Sequence, residues 1–178
     1  MCTVADVAMV MVNESIRMAQ INQDSRYYMD FIKLHKLLYL GQCCMLRQYE
    51  RPLFAEDIRA HHCGPTVDRL DFIPAQCGFG TITESFSSSD IAIPSPSRLA
   101  VIDWVLENFG TWSTEDIIHC TKATPPYKMV KAQITETTKP VIPIESMSSA
   151  FDNVSAFYYG DGDSMVKITP ESLTTVWA

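Results

Sequence analysis

IKLHKLLYLGQCCMLRQYERPLFAEDIRAHHCGPTV, residues 32–67, is the stretch whose reading decides the fold. Asp30, just ahead of it, is a good N-cap, and the run from Phe31 to Tyr49 places Leu34, Leu37, Leu38, Gly41, Cys44 and Met45 on one helical stripe. Ile32, Tyr39, Leu40, Cys43 and Leu46 widen that stripe until most of the circumference is apolar. A helix of this kind belongs in the middle of a domain. Gly41 inside it costs about 1 kcal/mol relative to alanine, which points to close approach of another helix. Arg51-Pro52 stops the helix, and partial alternation from Leu53 to His62 predicts a short strand. Gly64-Pro65 then turns the chain sharply, and Pro65 suits the first position of a short helix through Phe72, ended by Pro74.

The same periodicities extend outward from this core. Thr3 to about Gln20 forms an amphipathic helix, with Val4, Val7, Ala8, Met11, Val12 and Ile16 on one face. Thr3 and Asp6 make a variant capping box at its start. Ile21 to Tyr28 reads as a polar connection. Residues 75–97 contain SFSSSDIAIPSPS, a serine- and proline-rich surface insertion expected to run from ordered to mobile. Helical pattern resumes at Ser97, through Leu99, Ile102, Val105, Leu106 and Phe109, and stops at Gly110. Ser113 caps the next short helix, Thr124-Pro125-Pro126 breaks the chain, and another short helix covers Tyr127 to Gln133. Gly160-Asp161-Gly162-Asp163, between apolar runs, predicts a hairpin near 154–170. The expectation is α+β: a predominantly α-helical single domain over residues 1–178, with a small β element made of a short strand before Gly64-Pro65 and a C-terminal hairpin.

Composition narrows the function. With 178 residues, 47% hydrophobic and 20% charged, the chain can bury a core without disulfide or metal staples. Its net charge of −7 and the lack of a lysine or arginine cluster argue against general nucleic-acid binding and against an autorepressor helix. No apolar run reaches the ~18 residues needed to span a bilayer. The stretch Val7 to Val12 lacks the basic start of a signal peptide, so a cytoplasmic location with no membrane partner is expected. The six cysteines, Cys2, Cys43, Cys44, Cys63, Cys77 and Cys120, have irregular spacing and read as free thiols.

Chemical motifs are sparse. The GFG at Gly78–Gly80 lacks the lysine of a phosphate loop, and no GxSxG elbow exists. His61 and Cys63 share a strand face and could join a metal with Cys43 or Cys44, or act as base and nucleophile in a small thiol- or metal-dependent hydrolase. No ligand spacing or local signature accompanies them, which favours ordinary side chains beside a turn. Asp161-Gly162-Asp163 lacks the closing glutamate of a calcium loop. Neither a cofactor nor a metal is expected.

The quoted stretch resembles the core signature of the Panacea antitoxin domain, the family of SocA and of phage-associated GepA proteins. Lys33, Leu34, Lys36, Leu37, Leu38, Tyr39 and Gln42 stand for its KLxKLLYxxQ helix. Pro52, Leu53, Phe54, Glu56, Ile58, Ala60, Gly64 and Pro65 stand for its PLFxExIxAWxxGPV segment. VIDWVLENFGTWSTEDIIHCTKATPPYKMVK, residues 101–131, resembles the later helix pair and the threonine-lysine element. The likeness runs from about Val4 to Lys131. His61 and Tyr127 stand where tryptophan is usual, Cys63 where an aromatic is common, and Thr66 where valine is usual. Tyr49-Glu50-Arg51 replaces the family's YG turn. The resemblance implies a bacterial or phage antitoxin that neutralises a cognate toxin by direct contact and not by catalysis. One branch of the family implies an alternative, an adaptor that delivers the toxin to the ClpXP protease. Leu34, Leu37, Leu38, Phe54 and Ile58 are most simply core, so the motif is mostly a fold signature and names no toxin-docking surface.

Overall fold

Helix α2, Phe31–Tyr49, is the axis of the computed structural model, which describes residues 2–152 and the backbone of 158–159 and 166–167. Asp30 caps it by accepting the Lys33 N–H at 2.7 Å, and Glu50 closes it in the left-handed region at φ 53°. Burial is unbroken from Lys33 to Met45, because α2 packs on α1 (Val4–Asn22), α4 (Pro96–Phe109) and α5 (Thr114–Ala123) at once. Helix α1 opens on the expected capping box: the Thr3 hydroxyl accepts the Asp6 N–H, and Asp6 returns to the Thr3 N–H at 2.9 Å. It runs to Asn22, further than the apolar pattern suggests, and Gln23 ends it at φ 52°. Gly41 is indeed a close-packed position. The nearest atom to an added Cβ is Leu53 Cδ2 at 3.0 Å, however, so the following loop, more than a facing helix, excludes a larger residue.

The segment after α2 differs from the expectation at one joint. Strands β1 (Ile58–His61) and β2 (Gly64–Val67) form an antiparallel hairpin, with His61 opposite Gly64 and Ile58 opposite Val67. Pro65 therefore lies in a strand and does not open a helix. Ala60 and Pro65 face each other with their backbone groups turned outward: Ala60 donates to Pro140 at 2.8 Å, and the Pro65 carbonyl takes a lysine. Proline at that position sacrifices no ladder bond. Helix α3 is Phe72–Cys77, and Pro74 sits within its first turn, where an N–H has no partner in any case. Pro74 does not terminate it. On the far edge of β1, Ile142 donates to Ile58 at 2.8 Å and adds a third extended segment.

Residues 78–95 are strapped to the domain. Ile82 donates to the Met29 carbonyl at 2.9 Å. Asn13 grips Phe86 from both sides, accepting its N–H at 2.7 Å and donating to its carbonyl at 2.9 Å. Asp6 Oδ1 takes the Ala92 N–H at 2.9 Å while Oδ2 serves the Thr3 cap. The serine- and proline-rich insertion is thus held to α1 by two side chains, a contact that composition does not reveal. Helix α4 begins at Pro96, α5 is capped by Ser113, and α6 (Pro125–Val130) starts on the first proline of the breaking pair. A short α7, Ile144–Met147, follows. Strands β3 (Tyr158–Tyr159) and β4 (Val166–Lys167) pair antiparallel. The remainder of the expected C-terminal extension lies outside the described residues. Taken together the chain is α+β and mainly helical, and among the described residues no helix is long and apolar enough to cross a membrane.

Replacing Asn13 with alanine strips two hydrogen bonds from Phe86. We expect a loss of about 1–3 kcal/mol, together with faster amide exchange from Glu84 to Ala92 and unchanged protection in α2. Exchange mass spectrometry on the variant checks this.

Candidate functional site

The polar residues of α2 form a seam along the most buried helix and reach four other parts of the chain. Lys33, 3% exposed, donates to the carbonyls of Arg26 at 3.0 Å and Gly110 at 2.5 Å, holding the C-terminus of α4. Lys36, 1% exposed, donates to the Pro65 carbonyl at 2.9 Å. His35 Nδ1 accepts the Val67 N–H at 2.9 Å, so two neighbouring residues grip β2. The Tyr39 hydroxyl donates to that of Thr124 at 2.7 Å, which itself donates to the Thr121 carbonyl, tying the end of α5. Gln42 accepts from Leu53 at 2.8 Å and from Phe54 at 3.3 Å, and donates to the Phe54 carbonyl at 3.2 Å. The 53–54 loop is further held by Arg98, whose Nε donates to the Leu53 carbonyl at 2.8 Å. Glu56, beyond it, accepts the Val4 N–H at the start of α1. Leu34, Leu37, Leu38, Phe54 and Ile58 are all buried between these tethers.

Burial sets the charge states. Desolvation pulls both Lys33 and Lys36 from the ordinary 10.5 down to about 8. It also takes His35 to about 4, with the neighbouring Lys36 ammonium adding to the effect, so His35 is neutral at physiological pH and its Nδ1 is free to accept. Gly64 is forced by the same crowding. Its φ is +91°, and a Cβ there would meet Lys36 Cε at 3.1 Å and Thr121 Oγ1 at 3.2 Å.

Among the described residues, those with catalytic or ligand potential do not converge. Cys43 and Cys44 are fully buried, and desolvation pushes the Cys44 and Cys120 thiols up to about 12 and Cys43 higher still. Those three stay protonated and are poor nucleophiles. His61 lies in β1, where its Nδ1 accepts the Cys63 N–H at 3.4 Å, and His62 and Cys63 form the exposed hairpin tip. Among the described residues no group of three or more His, Cys, Asp or Glu is placed to hold a metal.

The family described as Antitoxin SocA-like, Panacea domain, matches residues 34–128, more than half of the chain. The chain belongs to this family. No curated protein and no solved structure matches it. The α2 positions that carry the resemblance act as tethers: Lys33, Lys36, Tyr39 and Gln42 each satisfy a buried polar group on another segment. Two of this chain's departures from the Panacea pattern meet in space. The Tyr127 hydroxyl donates to the His61 carbonyl at 2.7 Å, a backbone contact indifferent to the side chain at 61. His35, which belongs to the seam, is missed by the motif; a histidine amid leucines in a largely apolar helix is its only signal.

Two outcomes follow from this geometry. Gly64→Val should cost more than ~2 kcal/mol, because a β-branched residue is strained at positive φ and the space is taken. Pro65→Ala should cost no more than about 1 kcal/mol, and thermal melts of both check the difference. The second outcome is a pH dependence. Lys33 and Lys36 have folded pKa values below their unfolded ones, so the unfolded chain binds more protons between about 8 and 10.5 and stability rises with pH there. The buried thiols act oppositely, since the unfolded chain ionises them first above pH 9.0. Denaturation midpoints should therefore rise from about pH 7.5 to 9, and Lys36→Met should remove part of that rise.

Proposed function

We propose that this chain neutralises a cognate toxin by direct protein–protein contact. The observation that carries this reading is its membership of the SocA-like Panacea antitoxin family across residues 34–128. The buried state of the signature supports it in a specific way. Side chains such as Lys36, Tyr39 and Gln42 are spent on holding loops together, which is the task of a scaffold that presents a surface. The partner then meets exposed residues outside the signature. The net charge of −7 suits a basic partner and speeds association with one.

Co-expression with the adjacent reading frame tests this. The neighbouring product alone should arrest growth, and co-expression of this chain should restore it and allow both to be purified together. A complex burying roughly 1,200–2,000 Å² is expected. Rescue should persist in a host lacking ClpX, since contact alone suffices. Arrest without rescue and without a complex would contradict the proposal, and rescue confined to hosts with ClpXP would replace it by the adaptor reading.

A further inference from the structure

The strap that Asn13 and Asp6 hold against α1 has a consequence for the surface. Between α1, α3 and residues 84–90 lies an open groove of about 490 Å³. Its apolar lining comes from Met9 on α1, Phe72 on α3 and Phe86 on the strap, and the two phenylalanine rings meet edge to face at 6.3 Å. Glu84 and Asp90 also line it, and no lysine or arginine does. Among the described residues neither carboxylate sits in an ion pair, and Asp90 accepts only a 3.2 Å bond from Ser89. The groove is built in advance, because Asn13 fixes Phe86 at both its N–H and its carbonyl. A wall already in place spares the ordering cost of binding.

Three occupants are conceivable, and charge separates them. The chain's own residues 153–178 carry Asp161, Asp163 and Glu171 against the single Lys167, so they are repelled by the groove. A second copy brings another −7. A partner segment with an apolar side chain flanked by lysine or arginine matches both the apolar floor and the unpaired carboxylates. We propose that this groove is where the partner toxin docks, through a basic segment that seats one apolar side chain against the surface made by Met9, Phe72 and Phe86. The inference rests on the antitoxin reading and deepens it.

The probe is the purified product of the adjacent reading frame, titrated onto the full chain at several salt concentrations. Glu84→Lys with Asp90→Lys reverses the charge of the groove, and Gln76→Trp blocks it sterically. All three positions are exposed, so the variants should melt like the parent. Glu115→Lys with Glu136→Lys makes the same charge change at exposed residues that do not line the groove. Both groove variants should weaken binding on the order of tenfold or more, and the charge reversal should flatten the salt dependence. The control pair should bind close to the parent. Should the groove variants bind as the parent does, or the control pair lose as much, the docking site is wrong while the antitoxin reading stands. Should the parent itself fail to bind, the antitoxin reading falls and this inference falls with it.

Discussion

Burying a helix that carries two lysines, a histidine, a tyrosine and a glutamine is the constraint on which the rest of this structure depends. Each of those groups would cost several kcal/mol in an apolar interior if left without a partner. Here each finds one on another segment: the end of α4 for Lys33, strand β2 for His35 and Lys36 together, the end of α5 for Tyr39 and the 53–54 loop for Gln42. The loops are thereby placed by the helix. The hairpin must bring its Pro65 carbonyl over Lys36, and this is why a glycine in the left-handed region stands immediately before it. A leucine in place of Gln42 would leave the Leu53 amide and the Phe54 carbonyl without their partner.

The two buried ammonium groups are the expensive members of the seam. Neither is in a salt bridge among the described residues; both are satisfied by carbonyl oxygens. Buried charges held in this way are weak sources of stability but strong sources of geometry, because few other arrangements satisfy them. Under the proposed reading, a domain that presents a surface to a partner gains from such specificity. The strap follows the same logic at lower cost: neutral Asn13 and a single capping carboxylate, Asp6, hold a segment that is otherwise serine and proline.

Local patterns were legible wherever one residue type has one dominant use. Thr3 and Asp6 announced the start of α1, Asp30 that of α2 and Ser113 that of α5, and leucine spacing marked the buried stripe. What could not be read was every contact between distant segments. Pro65 was compatible with a helix start and with a strand edge; only the outward-facing Ala60–Pro65 pair decides for the strand. Pro74 ends a helix in most settings, but lies here where the missing N–H is harmless. Residues 78–95 looked loose because their own composition is loose, while the groups that bind them sit on α1. The lysines at 33 and 36 gave no sign of being buried. Sequence alone places them one turn apart on a helix, and only the carbonyls that meet them explain them.

The central claim is that the Panacea signature builds the scaffold and that the partner meets other residues. The most direct measurement is the affinity of Gln42→Met for the toxin, determined on folded protein and set beside its melting temperature. The account predicts a clearly lower melting temperature, since the Leu53 amide and Phe54 carbonyl lose their partner, with an unchanged dissociation constant for the folded fraction. A variant that melts like the parent yet no longer binds would place Gln42 in the interface and contradict the account.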